Sequence, residues 1–437
     1  MSVWTACWQG LGLVVGALLA VLSWLWITRP RTNAPGPTPL PLLGNLPHFW
    51  RKLPVVVNDF RKLQRCYGDV FRFYLGPKLI LVATQPNDAR RLLVGCKVRE
   101  RDDFATRALF AYTGNGLIVS KGELWKAHRK IIEPTFHSEV LNGYMEAFNE
   151  GARFLCSQLE EAKGVAIDIS KMLHHTSFHV LALSLFGISV DELEPDRRKQ
   201  AEFVTVSLAA LELIQKRFYQ PWLQIDWIIS LTPDGEALKE QMTVLNGIVK
   251  KGIALLREKK LKALPKKRKT FLDVMIDDRG NFLLSENEVF DEESLRLFPA
   301  VPVAPVFASE DIPLSDGRYV APRGSVVFVF LNLLHRQPAL FPDPDKFEPR
   351  RFLEGGVAGA LFPYSFLPFG AGSRLCVGAR FAMLVMKTTL AMVMRQFRIV
   401  ASCTREELEE IAVFITGKPV RGIRIQCIPR SAPTMKN

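Results

Sequence analysis

The chain has 437 residues, 48% of them apolar, and a formal net charge of +13. So much apolar material rules out a disordered chain and is enough for a sizeable core. The basic balance favours anionic partners, but no zinc-finger, homeodomain or RNA-module pattern accompanies it, so nucleic acid is not expected among them.

Residues 1–28 carry no charged side chain, and Gly10 to Ile27 reads GLGLVVGALLAVLSWLWI. A bilayer-spanning helix needs ~20 apolar residues at 1.5 Å rise each, so 1–28 is read as a transmembrane signal anchor. Trp24 and Trp26 stand where an interfacial aromatic belt would lie. A cleaved signal peptide would show a basic n-region and an A-x-A site, and neither is evident. Positive charge first arrives at Arg29 and Arg31, which places the body on the cytosolic side. Residues 29–46, RPRTNAPGPTPLPLLGNL, repeat proline; fixed φ and missing donors make a stiff, non-helical hinge.

The body, 47–437, opens with a helix from Asn58 to Tyr67. VFRFYLGPKLILVAT then reads as a β-hairpin turning at Gly76-Pro77. Helices are predicted from Pro86 to about Gly95, over GELWKAHRKIIEPTF, along EVLNGYMEAFNEGARFLCSQLEE as one long element, and over MLHHTSFHVLALSLFG as a buried one. PDGEALKEQMTVLNGIVKKGIALLREKK is a further long amphipathic helix. The basic run Arg257 to Lys269 is read as a solvated linker. SENEVFDEESLRLFP is helical, with Ser285 and Glu288 as a capping box and Pro299 as the stop. RYVAPRGSVVFVFLNLLHR supplies strand-like runs, PDPDKFEPRRF an irregular meander, Val377 to Gln396 a helix, and VRGIRIQCIP a closing strand. The fold class is therefore mainly α with small β-sheets, α+β. No βαβ alternation supports a doubly wound sheet. Twenty-nine phenylalanines predict an aromatic interior or an apolar cavity.

Seven cysteines, an odd number with no CxxC pair, argue for a reducing compartment. One of them sits in a glycine-rich loop, FGAGSRLCVG, Phe369 to Gly378. A zinc site would want three or four closely spaced ligands, and Cys376 has no such neighbours. A nucleophile would want a histidine that sequence cannot place in space. Haem iron needs a single axial protein ligand, and thiolate is one of the known choices. Gly370, Gly372 and Gly378 would let the backbone approach a flat macrocycle and offer N–H donors toward the sulfur. Arg374 would meet a haem propionate, and the helix after Cys376 would point its positive end at the thiolate.

This stretch resembles the F-x-x-G-x-R-x-C-x-G signature of the cytochromes P-450, the haem-thiolate monooxygenases, and other matches follow in the family's order. WKAHR is similar to the family's W-x-x-x-R, which implies propionate binding by Trp125 and Arg129. ESLR resembles E-x-x-R, and PRRF resembles P-x-R-F, which implies a buried ion-pair cluster of Glu293, Arg296 and Arg351. Phe369 would shield the sulfur. The anchor and hinge resemble the microsomal form, and GELWKAHRKIIEPTFH with FPDPDKFEPRRF looks most like family four, the fatty-acid hydroxylase branch. FATRALFAYTGNGLIVS (Phe104 to Ser120), AVPVAP (Ala300 to Pro305) and FITGKP (Phe414 to Pro419) match pocket-lining positions of the family.

One part of the resemblance is missing. The family's distal helix carries an A/G-G-x-D/E-T-T/S pattern, whose acid and hydroxyl guide protons to bound dioxygen. No G-x-[DE]-T-[TS] stretch occurs in the chain, and Glu288 and Glu293, which should flank that helix at a distance, are separated by four residues. The expectation is a cytochrome P-450 fold lacking the central distal helix, with an internal deletion near 288–293. A central helix buries several side chains at ~1.5–3 kcal/mol each, against a net stability of ~5–15 kcal/mol, so weak or absent haem retention is expected.

The resemblance implies a haem b cofactor bound through Cys376 as both metal ligand and catalytic thiolate. It also implies insertion of one oxygen atom from O2 into a lipophilic substrate such as a fatty acid, terpenoid or steroid. Electrons would come from NADPH through a separate flavoprotein, NADPH-cytochrome P-450 reductase, with cytochrome b5 as a second candidate donor. The setting would be the endoplasmic reticulum membrane, single-pass, with the body in the cytosol and membrane lipid as a further partner. Two alternatives stand beside this: a truncated, catalytically impaired isoform, and a haem-thiolate isomerase or dehydratase acting on peroxides.

Overall fold

The computed structural model describes residues 3–50, 57–95, 103–262, 286–353, 363–413 and 416–430. Its longer helices are α1 (Val3–Ile27), α2 (Val57–Tyr67), α3 (Asp103–Thr113), α4 (Gly122–Ile132), α5 (Met145–Glu161), α6 (Ser170–Leu181), α7 (Arg197–Tyr219), α8 (Pro233–Lys262), α9 (Glu286–Leu297) and α10 (Ala379–Gln396). The strands are β1 (Val70–Leu75), β2 (Lys78–Ala83), β3 (Ile167–Asp168), β4 (Val303–Phe307), β5 (Ile312–Leu314), β6 (Tyr319–Ala321), β7 (Val326–Phe330), β8 (Phe397–Ala401), β9 (Ile411–Ala412), β10 (Lys418–Pro419) and β11 (Arg424–Pro429). They form a four-stranded sheet in the order β1-β2-β7-β4, a three-stranded sheet β3-β11-β8, and two two-stranded ribbons.

The β1–β2 hairpin pairs Val70 with Ala83 through Leu75 with Lys78, and Gly76 supplies the left-handed turn at φ +58°. β2 and β7 run parallel, Ile80 opposite Val326. Both are almost continuously apolar, and β7 is buried along its whole length, as strands covered on both faces must be. β4 closes the edge antiparallel to β7, Val303 opposite Phe330. No period in PVAPVF announced that strand; its pairing is a tertiary fact. On one face, Phe60 packs 4.8 Å from Phe330 and Phe49 lies 5.0 Å from Phe73, centroid to centroid. These rings are part of the aromatic interior that the phenylalanine count foresaw.

α1 is a 25-residue helix, about 37 Å long at 1.5 Å per residue. Among the described residues no helix is long and apolar enough to cross a membrane. Several α1 side chains lie outside the described set, so a span here rests on the sequence. Trp24 is 63% exposed. Trp26 instead packs inward: its ring centroid is 6.2 Å from that of Tyr74, and the Arg29 guanidinium lies 3.5 Å over it. The proline-rich segment is tied to the body. The Arg72 N–H donates to Pro35 O at 2.8 Å, the Thr32 hydroxyl to Val320 O at 2.6 Å, and Asn33 Nδ2 to Arg318 O at 2.8 Å. Gly36 sits so close to the Arg72 carbonyl that a Cβ would fall 2.0 Å from it.

Two helical expectations are corrected. The long element predicted over EVLNGYMEAFNEGARFLCSQLEE is broken: a short turn, Ser138–Asn142, precedes α5. At Tyr144 the bond tightens to the i−3 kind, its N–H donating to Leu141 O, and Gly143 gives the helix little reason to continue. α6 is not buried all round. It buries Thr176, His179 and Val180, while Leu173 and Leu181 stay 37% and 41% exposed. α10 shows the same pattern more strongly: Val393 is its one buried residue, and Met386, Leu390 and Met394 are exposed. α4 buries none. α9 runs unbroken across residues 288–293. Ser285, the expected cap, lies outside the described residues, as do residues 263–269 of the basic run.

Candidate active site

The cysteine loop is shaped by one close approach. Gly372 has φ +68°, and a Cβ there would fall 2.1 Å from Leu93 O; only glycine lets the loop lie against that turn. Gly370 is also left-handed, at φ +77°, with nothing within 4 Å of a Cβ. Gly378 needs neither: its Cβ would meet the Phe136 ring at 3.5 Å, an ordinary contact. The Cys376 N–H donates to Phe369 O at 3.1 Å, folding the loop back on itself, and Cys376 O accepts from Ala379, the first residue of α10, at 3.4 Å. The thiol therefore sits just ahead of a helix N-terminus, where the backbone dipoles favour an anion. The polar N–H bonds observed here run to carbonyls.

Arg374, Trp125 and Arg129 come together beside it. Trp125 and Arg129 are one turn apart on α4. The Arg374 guanidinium lies 4.0 Å over the Trp125 ring and donates from Nη2 to Ser120 O at 3.0 Å. Arg129 donates from Nη1 to Leu375 O at 2.8 Å, and its Nη2 is 3.3 Å from Oε1 of Glu133. A helix and a loop some 250 residues apart in the chain thus place two cations and an indole against one thiol-bearing turn.

All four residues line one cavity of about 450 Å³, with Phe369 and Gly370. Gly372 and Gly378 shape its loop without lining it. The rest of the wall is overwhelmingly apolar. Thr106, Leu109, Leu117 and Ile118 come from the Phe104–Ser120 stretch, and Ala300, Val301, Val303, Ala304 and Pro305 from the run that becomes β4. Of the third expected stretch, Phe414 and Ile415 lie outside the described residues; their neighbour Val413 lines the wall. Phe218 and Tyr219 at the end of α7, Phe328 of β7, Leu331, Pro368 and Val377 were not foreseen. The Tyr219 hydroxyl donates to Val413 O at 3.1 Å, and burial pushes that phenol's pKa up, so it stays neutral.

Glu293, Arg296 and Arg351 form a second constellation behind the site. Both Glu293 and Arg296 are fully buried, and the carboxylate takes Nε and Nη2 of Arg296 at 2.7 Å each. Arg296 spends its remaining donors on His335 O (3.0 Å), Pro344 O (2.8 Å) and Lys346 O (3.1 Å). Nε of Arg351 is 3.6 Å from Glu293 Oε1, and its Nη2 donates to Asp343 O at 2.9 Å. The Glu348 N–H completes the carboxylate at 2.8 Å. A buried pair holds only when its remaining hydrogen-bonding capacity is met, and here the meander after β7 meets it.

A sequence model of the cytochrome P450 family matches residues 34–292 and 287–419. The chain belongs to the cytochrome P450 family, and by family it is a monooxygenase. It is 26% identical to cytochrome P450 4d2 of Drosophila melanogaster over 473 aligned positions, which take in 89% of this chain and 92% of the fly protein. It is likewise 26% identical to cytochrome P450 4V2 of Mus musculus over 460 positions, covering 87% and 85%. It is 25% identical to the probable cytochrome P450 4s3 of Drosophila melanogaster over 483 positions, covering 94% of each. These relatives all belong to family four. The family implies a haem cofactor, a redox partner and lipophilic substrates. The residues present suit the haem: a thiol on the cavity wall, two guanidiniums and an indole for its acidic edge, and an apolar surround for its macrocycle.

Proposed function

We propose that this chain carries the site of a membrane-anchored, family-four haem-thiolate monooxygenase, but lacks the segment that would complete it. The convergence of Cys376, Arg374, Trp125 and Arg129 on one apolar cavity carries the reading. Cys376 would hold the iron of haem b; Trp125, Arg129 and Arg374 would hold its propionates; Phe369 would shield the sulfur. Bound there, haem would supply the oxygen-insertion chemistry of the family. The apolar wall would exclude water and orient a fatty acid or a similarly lipophilic substrate. Glu293, Arg296 and Arg351 would brace the segment leading into the cysteine loop. Electrons would come from NADPH through a flavoprotein reductase, or from cytochrome b5. α1 would anchor the protein in the endoplasmic reticulum membrane with its body in the cytosol, since the first cations follow that helix.

Three observations support an internal deletion near 288–293. The family match is split in two, and its pieces meet at residues 287–292. Alignments with relatives run to 473 and 483 positions, more than the 437 residues of this chain. α4, α6 and α10 keep apolar side chains exposed: Ile131, Leu181 and Met394 are 72%, 41% and 51% accessible. Among the described residues lining the cavity there is no carboxylate to relay protons. On this reading the chain is a catalytically impaired member of its family, with weak or absent haem retention.

Reduced, carbon monoxide-treated protein tests both halves. The chain as it stands should give little or no far-red-shifted Soret band; an intense one would sink the deletion reading. With a relative's segment restored between 288 and 293 the band should appear, and Cys376→Ser should abolish the red shift. Unaltered pigment in Cys376→Ser would end the thiolate assignment.

A further inference from the structure

We infer that the junction between α1 and the body holds the phosphate of an anionic phospholipid between the guanidiniums of Arg29 and Arg72. The inference rests on the reading of α1 as a membrane anchor, which brings this junction to headgroup depth. It makes no use of the cysteine loop or its cavity.

Arg29 lies just past the C-terminal end of α1, and Arg72 is the one residue of β1 that is not buried. Tyr74 follows Arg72 on the same face of the strand and links the two. Its ring centroid is 5.2 Å from the Arg29 guanidinium and 5.6 Å from that of Arg72, and its hydroxyl donates to Pro30 O at 3.0 Å. The Arg29 guanidinium also lies 3.5 Å over the Trp26 ring. Aromatic faces hold a guanidinium in place without cancelling its charge. Arg29 gives one N–H to Trp26 O, an ordinary contact at a helix end. Nε of Arg29 and Nη1 of Arg72 are buried and meet no acceptor. Among the described residues, neither guanidinium has a carboxylate within ion-pair distance. Buried charged donors without an acceptor are costly, and two cations beside one ring repel each other. A phosphate answers both costs, with charge-assisted bonds of about 2.7–2.9 Å. The surroundings favour a lipid as the source of that phosphate. Ile27, Leu40 and Leu43 are 65%, 51% and 42% exposed. Leu43 O accepts the Gly76 N–H, so it lies against the hairpin that carries Tyr74. Acyl chains would cover such surface, whereas a soluble phosphate ester would leave it in water. Phosphatidic acid, with its doubly ionisable phosphate, suits two cations better than phosphatidylcholine, whose own ammonium opposes them.

The test uses the full chain in a neutral detergent, read by native mass spectrometry, with dioleoyl phosphatidic acid and dioleoyl phosphatidylcholine as competing probes. Phosphatidic acid should be retained at roughly tenfold lower concentration than phosphatidylcholine. Arg72→Gln should remove most of that preference, and Arg72→Lys should keep part of it. Arg31→Gln controls for basicity alone: Arg31 is exposed, lies in the same hinge and takes no part in the stack on Tyr74, so its loss should leave the preference in place. Equal retention of the two lipids overturns the proposal. So does an Arg31 change as damaging as the Arg72 change, which would mean diffuse attraction to basic chain. Excess glycerol 3-phosphate should not displace the lipid; displacement would make this a site for free phosphate esters and overturns the lipid assignment. Should Arg72→Gln not fold, Arg29→Gln decides, because Arg29 lies outside every helix and strand. An unaltered preference in that variant overturns the proposal too. Flotation with pure phosphatidylcholine vesicles reads the anchor separately. A chain that floats without preferring phosphatidic acid overturns this site and leaves the anchor; one that prefers phosphatidic acid but does not float refutes the anchor and leaves the site.

Discussion

Nε2 of His335 accepts the backbone N–H of Leu367 at 2.9 Å. The carbonyl of the same histidine accepts Nη1 of Arg296 at 3.0 Å. One residue thus joins the buried ion-pair cluster to the strand of chain that leads, through Pro368 and Phe369, into the cysteine loop. The imidazole is fully buried. Burial first, and then the charges of Arg296 and Arg336, drive its pKa from the ordinary value of 6.5 to about 3.

That depression makes stability pH-dependent. The unfolded chain takes up a proton at His335 below about pH 6.5, whereas the folded chain refuses it until about pH 3. The stabilisation from keeping this histidine neutral is complete above 6.5 and is lost as pH falls toward 3, at up to about 1.4 kcal/mol per pH unit. Urea midpoints between pH 7.5 and 4.5 should fall for the natural chain. His335→Gln, which keeps an acceptor for Leu367, should be weaker at neutral pH but show a shallower slope. An unchanged slope would remove His335 from the account.

Glu293→Ala leaves a fully buried guanidinium without its bidentate partner. The expected loss is about 3–5 kcal/mol, among the largest for any single change in the chain. Replacing Arg296 as well, by Met, should recover part of the loss, because an apolar pair can stand where half an ion pair cannot. Chemical denaturation of the three variants, followed by tryptophan fluorescence, measures both terms.

Gly372 and Gly378 should respond differently to alanine. Gly372→Ala forces a left-handed residue, at ~1–2 kcal/mol, and drives a methyl against Leu93 O. Gly378→Ala meets only a ring edge at ordinary distance and should cost well under 1 kcal/mol. Thermal unfolding of the two variants should separate clearly. Equal shifts would mean that the loop does not lie against the Leu93 turn.

Tyr219→Phe removes the donor to Val413 O while keeping the ring in the wall. Val413 O keeps its second donor, Gln215 Nε2 at 3.4 Å, so the cost is that of one hydrogen bond, about 0.5–1.5 kcal/mol. The predicted result is a lower unfolding midpoint with an unchanged spectrum of any bound lipophile. A neutral effect on stability would show that the Gln215 donor alone satisfies Val413 O.

The elements most legible in sequence were those whose cause is local. Gly76-Pro77 between two apolar runs gave the hairpin, and the helices α2, α8 and α10 were fixed by periodicity and flanking breakers. Site residues were legible where they fall in a spaced motif: Trp125 with Arg129, Glu293 with Arg296, and the loop around Cys376. Phe218, Tyr219, Phe328 and Leu331 were not, because an apolar residue that faces a cavity has the same composition and period as one that faces a core. The α6 burial was misjudged for a related reason. Its apolar residues announce that something should cover them, but not whether it does.

The sequence alone determined that a lone cysteine would stand in a glycine-rich turn before a helix, that an uncharged helix would lead the chain, and that glutamate and arginine would share one face of α9. These follow from spacing and side-chain chemistry within a few turns of chain. Only the tertiary structure decided that Arg374 stacks over Trp125 while Arg129 reaches Leu375 O, that β4 becomes a cavity wall, and that the meander after β7 satisfies Arg296. Those contacts join residues tens to hundreds of positions apart; their favourable free energy comes from removing apolar surface from water, and the charges they bury hold only because they are paired. No local pattern records that.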